Sequence, residues 1–320
     1  MMTMLLSFAA LQEMPDNSEA MKKVDWIVGA WEGTGKSEQF GESTESLLIE
    51  PTLKGNFLRI VQTVRGGDQV IWHSTGLLGW DTQKKNFVWF QFGLDGTLGW
   101  VRTGGDDVAG KMVMEGQLTG GGPFASFRTT FTKTGDDTMS NRLEFKEGEE
   151  LALFAATDYK KLEKAPKEEE VKSEDAGHLK RMEWVIGTWM GEGEFNGMKY
   201  EDEHAYSWAH SGNFIKNEYW MRVGGEVAWH DMGLMGYDVD RKKFVGINFG
   251  IDGTIGWGEG DPVEGDTFMW EGDTVGPSEN IKFRTTVTKV DADTMKMNIE
   301  KRDGDGWAPY MPEQTKKRKK

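Results

Sequence analysis

The stretch Trp26-Ile-Val-Gly29-Ala-Trp31 returns later in the chain as Trp184-Val-Ile-Gly187-Thr-Trp189. Beyond it the two halves stay in register: Phe92-Gly-Leu-Asp-Gly-Thr-Leu-Gly-Trp100 recurs as Phe249-Gly-Ile-Asp-Gly-Thr-Ile-Gly-Trp257, and the offset drifts only from 158 to 156 residues. A period of this length is a duplicated domain rather than the unit of roughly 20 to 50 residues that builds a solenoid. Each position can therefore be compared with its twin in the other copy.

Composition limits the class of protein. The chain has 320 residues, enough for two domains, and each copy of about 140 residues can bury roughly two thirds of the surface that it exposes when unfolded. It contains no cysteine, which excludes disulfides and thiolate metal sites. With 38 Lys and Arg against 53 Asp and Glu, the net charge is -15, which argues against nucleic acid or an anionic membrane as the main partner. No apolar run approaches the roughly 18 residues of a transmembrane helix.

The two ends of the chain differ from the rest in composition. Met4-Leu-Leu-Ser-Phe-Ala-Ala10 resembles the apolar region of a signal peptide but follows no basic segment, so residues 1–17 are either a leader or a disordered tail. A secreted or periplasmic location and a cytoplasmic one therefore both stay open. The other end, Lys316-Lys-Arg-Lys-Lys320, is basic, and we expect it to be a solvated terminus.

Each copy opens with a short amphipathic helix. Its apolar stripe is repeated between the copies, as Met21, Val24, Ile27 and Val28 and then Leu179, Met182, Val185 and Ile186. Gly29 and Gly187 supply the left-handed residue that ends each helix. The pattern then changes to period two, and Gly, Asp and Asn clusters separate short β-rich segments. In the first copy we predict strands near residues 31–39, 43–50, 57–64, 70–80, 87–92, 98–102, 111–118, 124–133, 138–146 and 150–156.

The number of strands predicts a closed architecture. Asp95-Gly96 and Asp252-Gly253 are hairpin signals, because a type I′ turn needs positive φ at both central residues. No second helical pattern interrupts the strands, and a long antiparallel series removes its edges by closing on itself. We therefore predict an all-β protein of two tandem antiparallel up-and-down barrels of about ten strands, each preceded by a short capping helix. The barrels span 18–162 and 175–320, with a charged linker at 163–174.

The Gly-x-Trp corner carries a family resemblance. A helix that leads into Gly29-Ala-Trp31 or Gly187-Thr-Trp189 resembles the calycin barrels, which include the lipocalins, the fatty-acid-binding proteins and the nitrobindin-like group. With Gln12-Glu-Met-Pro15 and Gly236-Tyr-Asp238, the chain is most similar to an uncharacterised bacterial lipocalin-like family. The resemblance covers both copies and implies barrels that enclose a small molecule. Nitrobindin-like barrels hold haem through a late histidine, and neither final strand region contains one, so we expect no cofactor.

Two histidines are the first candidates for ligand contacts. His73 and His230 are the only histidines kept in both copies, and they share the more apolar face of their strands. Because side chains alternate across a strand, we expect both to point into the barrel, as a ligand contact or as a hydrogen-bonded core residue. Gln62 in the first copy, with Asn217 and Tyr219 in the second, adds polar groups to the same lumen. A few polar groups in an apolar cavity are the usual form of a small-molecule site.

Other patterns favour structural roles. Strand parity places Arg128 and Arg284 outward, beside Glu144 and Glu300 of the next strand, so we expect cross-strand ion pairs rather than an inward arginine that binds a carboxylate. One repeated histidine per copy supplies neither a three-histidine zinc site nor a Ser-His-Asp arrangement. The sequence therefore indicates no metal site and no catalytic residue.

Three functions stay open on these grounds. The first is a non-enzymatic carrier or sensor that binds a small apolar or amphipathic molecule in the lumen. The second is an enzyme in which His73 and His230 act as general acid or base. The third is a structural or interaction protein whose barrels are plugged by the repeated Trp and Phe side chains. The resemblance favours the first.

Overall fold

The computed structural model describes residues 17–37, 41–105, 108–119, 126–166, 177–195, 197–261, 265–277 and 280–320. The chain divides into two compact units, with Asn17–Ser173 in one and Glu174–Lys320 in the other. Each unit is an antiparallel barrel, so the predicted all-β architecture of two ten-stranded barrels is confirmed. The predicted leader or tail and most of the predicted linker lie outside the described residues.

The first barrel consists of ten strands that pair in chain order. They are β1 (Gly29–Ser37), β2 (Gly41–Thr52), β3 (Phe57–Gly66), β4 (Gln69–Asp81), β5 (Asn86–Gly93), β6 (Leu98–Thr103), β7 (Lys111–Thr119), β8 (Ser126–Lys133), β9 (Thr138–Glu147) and β10 (Glu150–Leu162). β1 closes the barrel on β10 through eight residue pairs, from Ala30 opposite Leu162 to Ser37 opposite Ala155. Closure removes the exposed edges of the sheet.

Alternation along β1 shows how the sequence forms a barrel wall. Trp31, Gly33 and Ser37 point inward and are buried, whereas Glu32 and Lys36 between them are exposed. Inward side chains of the other strands join Trp31 in one apolar cluster, whose large aromatic members include Trp80, Phe87, Trp89, Phe127, Phe131 and Phe145. Burying each such side chain stabilises the fold by roughly 1.5 to 3 kcal/mol. Aromatic rings therefore fill much of the first interior.

The second barrel has eleven strands because its last strand is divided. They are β11 (Gly187–Phe195), β12 (Met198–Ala209), β13 (Phe214–Val223), β14 (Glu226–Asp238), β15 (Lys243–Gly250), β16 (Ile255–Gly260), β17 (Thr267–Val275), β18 (Lys282–Asp291), β19 (Thr294–Asp303), β20 (Gly306–Pro309) and β21 (Gln314–Arg318). β18 pairs with β19, and β21 pairs with both β19 and β11, which closes the ring. β20 is a short hairpin partner of β19.

Short helices precede both barrels. In the first copy one α-helical turn (Ser18–Met21) continues as a 3-10 helix (Lys22–Ile27), and in the second a 3-10 helix spans Gly177–Val185. The predicted apolar stripe of each helix packs into the barrel core. Two further 3-10 turns, Leu53–Gly55 and His210–Gly212, join β2 to β3 and β12 to β13. Among the described residues, no helix is long and apolar enough to cross a membrane.

The Gly-x-Trp corner joins the helix, the first strand and the last strand of each barrel. In the second barrel the Trp189 indole donates a hydrogen bond to a helix carbonyl at 2.7 Å, and the Arg318 guanidinium lies 4.2 Å from the ring centroid. The first barrel repeats this arrangement with Trp31 and the Lys161 ammonium, 5.3 Å from the ring. Gly187 has a φ of +130°, and a Cβ there would lie 2.5 Å from Arg318 Nη1, so the corner requires glycine.

The basic C-terminus is part of the barrel wall. β21 places the Lys316 side chain inside the barrel, where it is 0% exposed, whereas Lys317 and Lys319 face solvent. The expectation of a solvated terminus at Lys316–Lys320 is therefore wrong for Lys316 to Arg318, which belong to β21. The physical reason is that an alternating strand can bury every second basic side chain when the barrel supplies a partner for it.

The predicted ion pairs lie on the outer surface. Arg284 of β18 contacts Glu300 of β19 at 2.8 Å, as expected. Arg128 also faces outward, but its carboxylate partner is Glu115 of the preceding strand, β7. Partly exposed pairs of this kind stabilise a fold by about 1 kcal/mol or less, so they contribute little beyond register.

Candidate functional site

The two repeated histidines lie on the outer face of their barrels. His73 Nδ1 is 3.0 Å from the hydroxyl of Thr63, its partner on β3, and His230 stacks on Trp220 of β13 with ring centroids 5.0 Å apart. The residues that flank both histidines on β4 and β14 point inward. The prediction that the histidines face the lumen is therefore wrong. The reason is that these strands carry apolar residues on both faces, so hydropathy does not identify the inner one.

Gln62 faces the interior of the first barrel, as predicted. Its amide donates a hydrogen bond to the Glu45 carboxylate, which also accepts one from the Thr157 hydroxyl at 2.8 Å. Gln91 donates to Gln62 Oε1 at 3.0 Å and to the Ser74 hydroxyl at 2.7 Å. These polar side chains satisfy one another, as buried polar groups in a stable core do.

Two other polar groups of the first interior are donors set among apolar neighbours. The Tyr159 hydroxyl and Trp89 Nε1 have no hydrogen-bond partner among the described residues. Burial, with the nearby Glu45 carboxylate, holds the pKa of Tyr159 well above its usual value, so the hydroxyl stays protonated. The first interior thus presents neutral donors beside a carboxylate that is already hydrogen-bonded.

A buried ion pair crosses the interior of the second barrel. Lys316 Nζ lies 2.7 Å from Asp202 Oδ1, and both side chains are almost fully buried. The Tyr219 ring lies 4.9 Å from the ammonium, and its hydroxyl donates a hydrogen bond to Asp202 Oδ2 at 3.4 Å. Burial lowers the pKa of Lys316, and the Asp202 carboxylate opposes that shift. Tyr219, a predicted site residue, therefore contacts both members of the pair.

Three buried polar atoms near this pair have no hydrogen-bond partner among the described residues. They are His204 Nε2, Asn217 Oδ1 and Gln314 Oε1, on side chains at least nine-tenths buried. The other polar atom of each side chain has a partner. His204 Nδ1 lies 3.3 Å from the Tyr206 hydroxyl, Asn217 Nδ2 donates to Asn248 Oδ1 at 3.2 Å, and Gln314 Nε2 donates to the Met311 sulfur at 3.0 Å. An unsatisfied buried polar group costs about 1 to 3 kcal/mol, so three around one interior mark a place where a ligand can supply the partners.

Titration states in this interior follow from burial. Burial holds the pKa of His204 well below its usual value, so the imidazole is neutral. Burial also raises the pKa of Asp231 to about 6, against the hydrogen bond that Trp229 Nε1 donates to it at 2.8 Å and the attraction of Lys316. Near neutral pH Asp231 is therefore mostly a carboxylate, beside the Asp202–Lys316 ion pair.

Asp231→Asn should stabilise the second barrel above about pH 6. A carboxyl group whose pKa is raised on folding stabilises the fold fully below its unfolded value of 3.8, and that contribution is lost as the pH rises through about 6. Asparagine does not ionise, so the variant keeps at high pH the stability that the native chain loses when Asp231 ionises. Its free energy of unfolding should therefore exceed that of the native chain by about 1 to 3 kcal/mol at pH 8, with no gain at pH 3.5. Urea unfolding at the two pH values measures the difference, and an equal effect at both would contradict this reading.

Several inward side chains of the second barrel keep accessible surface. Tyr219, Met221, Trp229 and Asp231 point inward by register yet are only partly buried. They lie toward the end of the barrel opposite the helix. Their partial exposure means that solvent reaches these side chains at this end of the barrel.

The seam between the first and last strands also differs between the copies. In the first barrel β1 and β10 pair along eight residues, whereas in the described part of the second barrel β11 pairs with β21 at Trp189 and Met190. β11 continues past this ladder through Gly191 and Gly193. There, among the described residues, it pairs only with β12, and at Gly191 a Cβ would lie 2.5 Å from the carboxylate of its cross-strand partner Asp202.

A groove of about 760 Å³ lies on the first barrel. Most of its polar lining is exposed to solvent, including Glu32, Thr44 and Lys160, and the buried Met139 and Tyr159 lie at its floor. Because most of these groups are solvated, the groove is a weaker candidate than the second interior, where three buried polar atoms lack partners among the described residues. Among the described residues, no group of three or more His, Asp or Glu side chains is placed to hold a metal ion.

Sequence reasoning identified Asn217 and Tyr219 but missed most of this cluster. The missed residues are Asp202, His204, Asp231, Gln314 and Lys316, whose twins in the first barrel are Glu45, Leu47, Ser74, Thr157 and Tyr159. Most of them have no chemically similar twin, so a search for repeated residues passes over them. Positions that face inward and differ between the copies are the signal that would have found them.

Comparisons with known proteins give no family. No protein-family model matches the chain, and it has no match among curated proteins. Among solved structures, it is similar to Rv2717c from M. tuberculosis, with a TM-score of 0.37 and 14% identity over 46% of this chain and 100% of that one. It is also similar to a protein of unknown function of the DUF3598 family from Nostoc punctiforme PCC 73102, with a TM-score of 0.26 and 12% identity over 94% of this chain and 99% of that one.

Proposed function

We propose that this chain is a non-enzymatic binding protein, a carrier or sensor, whose second barrel holds a small amphipathic molecule in a calycin-like lumen. The observation that carries the proposal is the set of three unpartnered atoms, His204 Nε2, Asn217 Oδ1 and Gln314 Oε1, beside a buried ion pair. Apolar surface with a few convergent polar groups is the usual composition of a ligand pocket. The proposed route into it is the side of β11 beyond Met190, where the ladder with β21 ends.

The first barrel is better suited to a structural role. Its interior is rich in packed aromatic rings, and the polar side chains around Gln62 already bond one another. This arrangement favours the plugged-barrel alternative for that copy alone. The enzyme alternative required His73 and His230 to act as general acid or base inside the lumen. Both lie on the outer face instead, where His73 bonds Thr63 and His230 stacks on Trp220, so this alternative is not supported.

A titration with apolar fluorescent probes tests the proposal. We expect 1-aminoanthracene or N-phenyl-1-naphthylamine to bind and to change the Trp emission, because Trp229 lies in the same interior. His204→Leu with Asn217→Ile installs the residues found at these positions in the first barrel, Leu47 and Ile60. This double variant should weaken binding by roughly 0.5 to 3 kcal/mol for each hydrogen bond lost.

The matched control is His230→Leu. It makes the same substitution on the outer face of the same barrel, so it should leave probe affinity unchanged. Loss of binding in His230→Leu, with binding kept in the His204 and Asn217 double variant, would place the ligand outside the lumen. Failure of every probe, and of every ligand in the naphthyl series described below, would remove the proposed function.

A further inference from the structure

We propose, resting on the function above, that the second barrel takes a small organic cation: a protonated amine on an apolar, preferably aromatic, body. The sequence and the comparisons give no ligand class. Three independent features of the interior select this one: its charge balance, its surplus of hydrogen-bond acceptors and its aromatic lining.

The charge balance comes first. The cluster contains the carboxylates of Asp202 and Asp231 and one ammonium, that of Lys316, which lies against Asp202. The imidazole of His204 is neutral and so adds no positive charge. An unbalanced charge in a low-dielectric interior is costly, and one bound cation would neutralise the second carboxylate. An anionic ligand would add to the imbalance.

The hydrogen-bonding surplus points the same way. Asn217 Oδ1 and Gln314 Oε1 are acceptors without a donor among the described residues. Asp231 accepts one described hydrogen bond, from Trp229 Nε1, and a carboxylate has room for about four. An ammonium group carries donors and no acceptor, so it complements this set. For a carboxylate or carbonyl ligand, only one of the three unpartnered atoms, His204 Nε2, can serve as a donor.

Aromatic rings surround the same space. Tyr200, Tyr206, Tyr219 and Trp229 all point inward around the two carboxylates. Tyr219 already has the Lys316 ammonium near its ring. A ring face attracts a cation, and the attraction is strongest where the contact excludes water. The rings also accommodate the apolar body of the ligand.

The approach to the interior is acidic. Three glutamates, Glu192, Glu194 and Glu201, are exposed on the outer face of β11 and β12, against one exposed lysine, Lys199, opposite Glu194. Carboxylates around an entrance raise the local concentration of cations and repel anions. This feature acts on the rate of capture rather than on the bound state.

The first barrel lacks this set and so serves as an internal comparison. Its counterparts of Asp231, Lys316 and Asn217 are Ser74, Tyr159 and Ile60. Its remaining carboxylate, Glu45, is satisfied by Gln62 and Thr157. We therefore expect amine binding in the second barrel and not in the first.

The experiment compares three ligands of one shape. Calorimetric titrations at pH 7.5 would use 2-(1-naphthyl)ethylamine, 2-(1-naphthyl)ethanol and 3-(1-naphthyl)propionate, with the phenyl series as a smaller set. The amine should bind at least tenfold more tightly than the alcohol, and the carboxylate more weakly than both. Asp231→Asn should remove the preference for the amine while keeping the affinity for the alcohol. The control Glu218→Gln, the corresponding amide change on the outer face of β13, should keep the preference.

The outcomes separate the two proposals. If the alcohol or the carboxylate binds as tightly as the amine, the cation assignment is overturned and the binding function stands. The cation assignment is also overturned, and the binding function kept, if the apolar probes bind and no member of the series does. If neither the probes nor the series bind, the proposed function falls and this inference falls with it.

Discussion

Lys316→Met should destabilise the second barrel by about 3 to 5 kcal/mol, because it leaves the Asp202 carboxylate buried without a counter-charge. The pair lies at 2.7 Å with both side chains almost fully buried, so water cannot replace the lost ammonium. Urea unfolding followed by Trp fluorescence and far-UV circular dichroism measures the change as an early transition of one barrel. The control is Lys319→Met, which removes an exposed lysine that contacts Glu203 at 3.3 Å and should cost less than about 1 kcal/mol.

A second variant separates the charge effect from the packing effect. Asp202→Leu added to Lys316→Met removes both charges, and replacing a buried pair by apolar side chains is often neutral or stabilising. The double variant should therefore recover most of the stability lost in Lys316→Met. A cost below about 1 kcal/mol for Lys316→Met alone would mean that Lys316 reaches solvent. No recovery in the double variant would mean that lost packing, and not the unpaired Asp202 charge, causes the destabilisation.

Trp189→Ala should destabilise the second barrel by about 3 to 5 kcal/mol, and Trp31→Ala should do the same to the first. Both side chains are almost fully buried at the Gly-x-Trp corner, where they bond the helix and support Arg318 or Lys161. Removing either ring leaves a cavity and frees the helix from the last strand. Chemical unfolding of each variant, with two transitions resolved, measures the loss barrel by barrel.

Trp307→Ala is the matched control for the tryptophan variants. Trp307 is partly exposed on β20 and has Arg284 and Arg302 near its ring, at 4.8 and 5.4 Å. Its removal should cost about 1 kcal/mol or less, since exposed cation–π contacts are weak. Equal losses for Trp189→Ala and Trp307→Ala would mean that the Gly-x-Trp corner is not a point of closure.

The fold could be predicted from the sequence because each strand shows a period-two alternation of side chains and recurs in the second copy. Each of the ten strands predicted for the first copy overlaps one observed strand. Both hairpins also form, but only Gly96 and Gly253 take positive φ while Asp95 and Asp252 do not, so the predicted type I′ turns are wrong. The Gly-x-Trp stretch located the helix, the first strand and the corner between them. These features depend on local backbone geometry, which neighbouring residues determine.

The inner face of β4 and β14 did not follow from the sequence. Hydropathy identifies the buried face only when the other face is polar, and here Leu77 and Leu234 lie on the outer face with the histidines. Which face points inward is decided by the pairing of β4 with β3 and of β14 with β13. The sequence of a single strand does not contain that pairing.

The site itself depends on departures from the repeat. Lys316 reads as one of five basic residues at a chain end, and only the pairing of β21 with Met295 on β19 reveals that it points inward. His204 aligns with Leu47, so comparing the copies for identity gives it no weight. Duplication leaves one copy free to keep the fold while the other changes its interior, and the changes then fall at inward positions.

The number of ligand molecules bound per chain tests the central claim most directly. Calorimetric titration with the tightest probe should give one site per chain, kept in the first-barrel variant Gln62→Met and lost in His204→Leu with Asn217→Ile. Two equal sites, or one site lost in Gln62→Met and kept in the second-barrel variant, would contradict the assignment of binding to the interior around Asp202 and Lys316.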